Sequence, residues 1–361
     1  MKEVKKIAIL AAADNPHTVK WVNGLSKIGV EVHLISQHYK STEISEAVLF
    51  YSLPIKGNMG YFLNIFVIRR ILKKIEPQIL NTHYASGYGF LSMLSRFKPS
   101  LLSVWGSDIF EFPRRGIIQK LIIQKILQNA TELASTSFCM RDEIRKYNKI
   151  KRIHITPFGI DQNIFKPIFT PKKNYLLIGT IKTLEINYGI DVLIESFHLL
   201  KKNIDPSINL KLQIIGGGSQ LFFLKEKANS LGLGTDVEFI GRIEHSDVPK
   251  FLNEFDIFVA LSRHESFGVS VLEASSVGLP VVVSDAFGFK EVVIDCKTGF
   301  IVKRENCIEA ANAIANLVND DSLRSQMGKN GIKFVEQNFT WEKSLEAMLD
   351  AYTNVIANNK P

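Results

Sequence analysis

Short apolar runs rich in Ile, Leu, Val and Thr recur along this chain, and most are followed by a segment of helical length. That alternation constrains the fold more than any other feature, because a parallel strand must be reached by a crossover and the crossover is usually a helix. The first series is "KKIAILAA", "VEVHLIS", "QILNTH", "SLLSVWG", "ELASTS" and "RIHITPFG". The second is "NYLLIGT", "LKLQIIGG", "VEFIGRI", "DIFVALS", "PVVVSD" and "GFIVKR". Two such series predict an α/β protein with two doubly wound, Rossmann-like domains, and 361 residues are enough for both. The boundary is expected near "KPIFTPKKNY", where Pro167 and Pro171 disfavour helix and Lys172 and Lys173 are solvated. The domains then cover residues 1–168 and 174–339, and residues 340–361 remain. There, "TWEKSLEAMLDAYTNVIANN" reads as one amphipathic helix capped by Thr340, with Lys343 where a capping box would have Glu.

The start, "MKEVKKIAILAAADN", imitates a secretory signal, but Glu3 sits among the lysines and the apolar stretch is short, so a buried first strand is the expectation. No apolar run approaches the ~18 residues of a membrane-spanning helix. Cys139, Cys296 and Cys307 are scattered without a C-x-x-C, which argues against a disulfide framework or structural zinc and for a reducing cytoplasm. Charge is unevenly placed. Residues 1–170 hold 24 Lys and Arg against 12 Asp and Glu, whereas the remainder holds 20 against 24. A basic first half points to an anionic partner: a membrane surface, a phosphate-bearing acceptor or nucleic acid.

The stretch that carries most chemistry is "SRHESFGVSVLEASSVGLPVVVSD", residues 262–285. "DIFVALS" is a strand, Ser262 to Ser266 form its carboxyl-terminal loop, and a helix begins near Phe267 to Ser270. Ligands of open parallel sheets sit beyond the carboxyl ends of the strands, and a helix N-terminus suits phosphate. Gly268 lets backbone approach a ligand, while Glu265 in the loop and Glu273 a turn into the helix face the same opening. A carboxylate accepting from two vicinal hydroxyls reads a sugar or a ribose. On spacing alone, two solvated surface glutamates fit equally well.

The surrounding string decides between these. "ESFGVSVLEA", followed by "GLPVVVSD", "GFKEVV" and "TGFIV", resembles the E-x7-E signature of the retaining GT-B glycosyltransferases of family 4. "THYASGYGF", "VWGSDI", "PFGIDQNIF", "GTIKTLEINYGIDVLIESF" and "FIGRI" follow in that family's order, so the likeness spans nearly the whole chain. The resemblance implies two Rossmann-like domains facing across a cleft, with the last helix crossing back to the first. It implies retaining transfer of a sugar from a UDP- or GDP-sugar, bound by the second domain, to a glycan or lipid-linked acceptor bound by the first, in cell-surface polysaccharide biosynthesis. Glu265 would contact donor-sugar hydroxyls and Glu273 the ribose. The amides around Phe267, Gly268, Val269 and Ser270 would hold sugar and diphosphate, with Gly179 and Arg242 on the same nucleotide-sugar side. His83 matches the histidine that faces the donor sugar near the reacting carbon.

Two departures from the pattern stand out. The family's phosphate-binding Arg and Lys are replaced by Thr180 and Tyr188, which leaves Lys182 as the substitute cation. The usual glycine-rich loop before the first helix is replaced by "AAADNPHTVKW", whose Asn15 and His17 are acceptor-side candidates or ordinary turn and cap residues. Asp108 in "WGSDI" either orients the acceptor side or caps a helix. Gly216, Gly217 and Gly218 in "IIGGGSQ" fail the dinucleotide pattern at Leu221 and read as a tight turn beside the nucleotide. With no D-x-D and no H-E-x-x-H, neither metal nor cofactor is expected, and nucleic acid is not an expected partner. A nucleotide-sugar epimerase and a non-catalytic nucleotide-sugar-binding protein are the alternative functions.

Finally, "GYFLNIFVIRRILKKIE", residues 60–76, reads as one helix. Tyr61, Ile65, Ile68, Leu72 and Ile75 share an inward face; Phe62, Leu63, Phe66 and Val67, then Arg69, Arg70, Lys73 and Lys74, share the other. That outer face is expected to contact anionic lipid at the inner face of the membrane, unless a loop or the last helix covers it.

Overall fold

The computed structural model describes residues 4–171 and 173–359; Glu3 of the amino-terminal run and Lys172 of the interdomain stretch lie outside them. The chain divides into two compact units, Met1–Pro157 with Ser344–Pro361, and Phe158–Lys343.

The first unit holds a seven-stranded parallel sheet: β1 (Lys6–Leu10), β2 (Glu31–Ser36), β3 (Leu49–Ser52), β4 (Ile79–His83), β5 (Ser100–Val104), β6 (Glu132–Ser135) and β7 (Ile153–Ile155), in the order β3-β2-β1-β4-β5-β6-β7. Six of these strands are the expected apolar runs. The amino-terminal run is the sheet's interior strand, with Ile7 paired to Val32 on one side and Ile79 on the other. Ile7, Ile9 and Leu10 are fully buried, each contributing about 1.5–3 kcal/mol of hydrophobic stabilisation. Helix α1 (Pro16–Lys27) follows β1. Helices α2 (Gly57–Leu63), α3 (Ile65–Ile75), α4 (Gly87–Ser95), α5 (Ser107–Phe110), α6 (Ile117–Asn129) and α7 (Phe138–Arg145) follow. Right-handed crossovers put α1 on one face of the sheet and α3, α4 and α6 on the other.

Residues 60–76 are not one helix. Asn64 is fully buried, and its side chain donates to the Ile55 carbonyl at 2.7 Å and accepts from the Ile55 amide at 3.2 Å, which breaks the segment into α2 and α3. The two faces survive the break except at Val67, expected on the outer face, which is partly buried against the core that holds Ile68 and Leu72. Ile68, Leu72 and Ile75 are buried, Tyr61 and Ile65 are partly buried, and Phe62, Leu63 and Phe66 are exposed.

The second unit holds a six-stranded parallel sheet: β8 (Leu176–Ile181), β9 (Leu210–Ile215), β10 (Val237–Gly241), β11 (Ile257–Ala260), β12 (Val281–Ser284) and β13 (Gly299–Val302), ordered β10-β9-β8-β11-β12-β13. Its helices include α8 (Ile190–Asn203), α9 (Leu221–Ser230), α10 (Val248–Glu254) and α11 (Val269–Ser276). Phe197, Leu212, Ile214, Val259 and Ile314 are buried together in its core. The segment after Pro157 lies with this unit: Ile160 bridges Thr340, and the Phe165 carbonyl accepts from Ser276 Oγ at 2.6 Å. The last helix runs from Trp341 to Asn358. Thr340 Oγ1 accepts from the Lys343 amide at 3.3 Å, the half capping box expected. From Ser344 this helix packs in the first unit, burying Met348, Tyr352 and Val355, and Asn358 donates to Glu132 at 2.8 Å. Among the described residues no helix is long and apolar enough to cross a membrane.

Candidate functional site

Each sheet has a switch point where the strand order reverses, β1 beside β4 in the first unit and β8 beside β11 in the second. Crevices beyond the carboxyl ends of such strands are where open α/β sheets bind ligands.

In the second unit, Lys182 follows β8 and Glu265 follows β11. The switch point therefore brings together residues 83 positions apart, with Lys182 Nζ donating to Glu265 Oε2 at 2.6 Å. Both side chains are nearly buried, 11% and 12% exposed. The ammonium also lies over the Tyr188 ring, 5.1 Å from its centroid, and 5.7 Å from that of Phe289. Tyr188, which stands where a second cation was expected to be missing, thus packs against the first. An ammonium has three donors, so pairing with one carboxylate leaves donors for a second anion.

The glycine run explains how Lys182 is held. Gly216 has φ +141°, and a Cβ there would meet the Lys182 carbonyl at 1.8 Å; one at Gly218 would meet the Leu184 carbonyl at 2.3 Å. Only glycine lets the loop after β9 lie this close to the loop carrying Lys182. Arg242, after β10, is exposed and lies over Gly217. Gly179, inside β8, owes its identity to packing, since a Cβ would fall 2.2 Å from the Phe255 ring.

Helix α11 starts at Gly268, which has φ +111° and provides no side-chain cap. Its N-terminus carries the partial positive charge of unpaired first-turn N–H groups, although the Val271 amide already donates to the Gly268 carbonyl at 3.0 Å. Ser270 Oγ is buried there without a partner among the described residues. Phe267 is buried with its ring against Phe339, leaving only its backbone for a ligand. Glu273 is buried, and its Oε1 lies 3.1 Å from His245 Nε2. The sequence reading missed His245, 28 residues away; its nearest signal was the adjoining "FIGRI" run. The Glu265 loop is braced from outside. Arg263 forks onto Asp191 at 2.9 and 2.7 Å, and Arg304 reaches Asp285 at 2.9 Å and the Arg263 carbonyl at 3.3 Å.

In the first unit, His83 ends β4. It is buried, and neither ring nitrogen has a partner among the described residues. The Trp105 ring lies 4.5 Å from it, and His17 meets Trp105 edge-on at 5.9 Å. Burial, with a smaller contribution from His17, lowers the His83 pKa to about 3. The imidazole is therefore neutral at physiological pH and offers one donor and one acceptor. Tyr84, next in chain, has φ +79°, a strained conformation for a bulky residue. Asp108 holds that strained loop. Its carboxylate accepts from the amides of Ala85 at 2.7 Å, Gly106 at 2.8 Å and Trp105 at 3.2 Å. Burial nevertheless raises its pKa. Asp108 lies inside α5 rather than capping it and is 1% exposed, so it fixes the loops that carry His83 and Trp105. Asn15 caps α1, accepting from the His17 amide at 2.9 Å, which aims His17 toward Trp105.

Comparison with known proteins gives a consistent answer. Residues 161–334 match the model "Glycosyl transferases group 1", and residues 6–137 match "Glycosyl transferase 4-like". The capsular polysaccharide biosynthesis glycosyltransferase CapM of Staphylococcus aureus is 26% identical over 362 residues, covering 91% of this chain and 92% of CapM. Mannosylfructose-phosphate synthase of Agrobacterium fabrum is 32% identical over 332 residues, covering 76% of this chain and 72% of that protein. Among solved structures, sucrose-phosphate synthase of Thermosynechococcus elongatus superposes with a TM-score of 0.86 at 19% identity, over 98% of this chain and all of that one. Anabaena HepE in complex with UDP and glucose superposes at 0.80 and 16% identity, over 97% of this chain and 100% of its own. The chain has the GT-B fold and belongs to the group 1 glycosyltransferases with a family-4-like first domain.

Proposed function

We propose that the protein is a retaining hexosyltransferase that moves a sugar from a UDP- or GDP-sugar to a glycan or lipid-linked acceptor in cell-surface polysaccharide biosynthesis. The observation that carries this reading is the nearly buried Lys182–Glu265 pair at the switch point of the second sheet. HepE, solved with UDP and glucose, and CapM, named for capsular polysaccharide biosynthesis, support the donor class and the setting.

In this reading the diphosphate sits between Lys182 and the N-terminus of α11. Both supply positive potential where leaving-group charge develops, and neither needs to reorganise to do so. Because Lys182 and the helix provide this charge, activity is independent of added metal. Glu265 accepts from donor-sugar hydroxyls once the phosphate has drawn Lys182 away. Glu273, steadied by His245, accepts from the ribose, with Val269, Ser270 and Arg242 along the nucleotide sugar. The first unit takes the acceptor near His17 and Asn15. His83, held neutral by burial, hydrogen-bonds the donor sugar without adding charge. Its outer face over residues 60–76 meets anionic membrane at the cytoplasmic side.

Incubation with UDP- and GDP-sugars, with and without glycan or lipid-linked acceptors, tests this. Nucleoside diphosphate released only with acceptor, and an anomeric configuration retained in the product, are the expected results. Interconversion of the nucleotide sugar without acceptor would make the protein an epimerase, and ligand-induced thermal stabilisation without turnover would make it a binding protein. Activity should survive EDTA, and a strict requirement for Mg²⁺ or Mn²⁺ would overturn the charge argument.

A further inference from the structure

We infer that His38, in the loop after β2, is a specificity-determining residue for the acceptor: the fold fixes its Nε2–H as an outward donor to an oxygen of a neutral sugar. This deepens, and rests on, the reading that the first unit takes a glycan acceptor.

The position of the ring proton follows from counting donors around Ser36 and Tyr88, both of them buried. Ser36 Oγ accepts from the Ala13 amide at 3.1 Å and from the His38 amide at 3.0 Å. Two amides fill its two lone pairs, so its own proton goes to the Tyr88 hydroxyl oxygen, 3.0 Å away. That oxygen also accepts from the Gln37 amide at 3.1 Å. With two donors aimed at it, the Tyr88 hydroxyl has its O–H left to give, and its remaining partner among the described residues is His38 Nδ1, at 2.6 Å. Such a distance is short for an N–H donor and ordinary for an O–H donor. Nδ1 therefore accepts, and the proton of the neutral ring sits on Nε2.

Nε2 has no partner among the described residues. The two ring nitrogens point in nearly opposite directions, so an Nδ1 turned to the buried Tyr88 turns Nε2–H outward. His38 is half-buried, and Tyr39 and Lys40 beyond it are exposed. The donor also lies at the ligand-binding end of the sheet. His38 follows the carboxyl end of β2, Tyr88 reaches it from α4, the helix that follows β4 and His83, and Ser36 ties it to the loop after β1 at Ala13, two residues before Asn15. Loops from both sides of the switch point between β1 and β4 thus converge on one hydroxyl and aim one imidazole.

Asp14 indicates the class of ligand. The rings of Tyr61 and Tyr88 meet edge-on at 5.3 Å. Burial raises the pKa of both phenols, and the charge of Asp14 adds to both shifts, so this exposed carboxylate stands near the same pair of rings. An N–H donor and a carboxylate acceptor at one opening match a sugar hydroxyl, which accepts and donates at once. The same carboxylate repels a phosphate. His38 therefore meets a neutral saccharide part of the acceptor rather than a phosphate.

Long-range proton–nitrogen correlation on the full chain labelled with ¹⁵N-histidine, at mildly alkaline pH, reads the tautomer. His38, identified by the signals lost in His38→Asn, should be the Nε2–H form, and Tyr88→Phe should let it sample both forms. An Nδ1–H ring in wild type overturns the proposal whatever the kinetics. Transfer from UDP- and GDP-sugars to p-nitrophenyl glucosides, galactosides and mannosides reads the role. His38→Asn keeps an oxygen for the Tyr88 O–H but presents no outward N–H. Its KM for the glycoside should rise about three- to tenfold, the loss of one neutral hydrogen bond, while kcat and thermal stabilisation by the nucleoside diphosphate stay unchanged. His38→Gln, whose amide N–H reaches the Nε2 position, should recover most of that loss. An unchanged KM in His38→Asn, or equal losses in the Asn and Gln variants, would reject the role of His38 and leave the transferase reading standing. If wild type releases nucleoside diphosphate with none of the glycosides, the glycan-acceptor reading falls and the role of His38 falls with it. Thermal unfolding of each variant separates misfolding from lost recognition.

Discussion

Replacing His83 with Asn tests whether the first unit holds a neutral imidazole. His83 is 1% exposed with a pKa near 3, against an ordinary value of 6.5. Because the folded-state pKa is depressed, the unfolded chain takes up the proton first as pH falls. Stability owed to the neutral ring is intact above pH 6.5 and is lost progressively from there down toward pH 3. Linkage with these two values gives a loss of about 2 kcal/mol between pH 7 and pH 5 from this group alone. The Asn variant lacks the group in both states, so the difference in unfolding free energy between variant and wild type should change by that amount over the interval. All other titrating groups cancel in the comparison. Urea unfolding followed by tryptophan fluorescence is the assay. Trp21 and Trp105 both lie in the first unit, and Trp105 is 4.5 Å from the imidazole. Parallel pH dependences of wild type and variant would refute the buried neutral ring. Transfer activity should in turn have no acid limb assignable to His83 between pH 5 and 8, and the variant should lower kcat equally across that range.

Three further outcomes follow from the second unit. Lys182→Met should destabilise it by about 3 kcal/mol, because a nearly buried carboxylate loses its cation and keeps only the long 3.5 Å contact from Ser262 Oγ. A cycle with Glu265→Gln should give a coupling of about 1–3 kcal/mol, and additive single effects in chemical denaturation would show the pair to be inconsequential. Gly216→Ala should cost about 2 kcal/mol or more, since its Cβ meets the Lys182 carbonyl, and should lower kcat by moving Lys182; unchanged stability and rate would reject that account of the glycine run. Glu273→Gln should chiefly raise the Kd for nucleoside diphosphate, whereas Glu265→Gln should chiefly lower kcat, by about 10²–10³, as read from binding and steady-state kinetics; equal small effects would undo the two assignments.

What the sequence disclosed, and what it concealed, has a common physical basis. A strand inside a parallel sheet is covered on both faces and is apolar along most of its length, so β1, β11 and β12 announce themselves as runs. Strand β3 lies at an edge, with Leu49 45% exposed and Ser52 exposed, so no burial requirement shapes its composition. The same logic governs the candidate site. Glu265, Gly268 and Glu273 sit in one strand–loop–helix unit, where spacing allows them to share one opening and the surrounding string singles them out. The partners that give them chemistry come from other crossovers. Lys182 reaches Glu265 only because β8 lies beside β11, and His245 reaches Glu273 from the loop before α10. Asp108 shows the converse. A carboxylate between two loops looks from sequence like a ligand or a cap, yet here its oxygens tie the Tyr84 and Trp105 loops together through three backbone amides. Local pattern thus marks where a ligand can bind, while strand order determines which charge meets it, and the identity of that charge carries the argument for a leaving diphosphate.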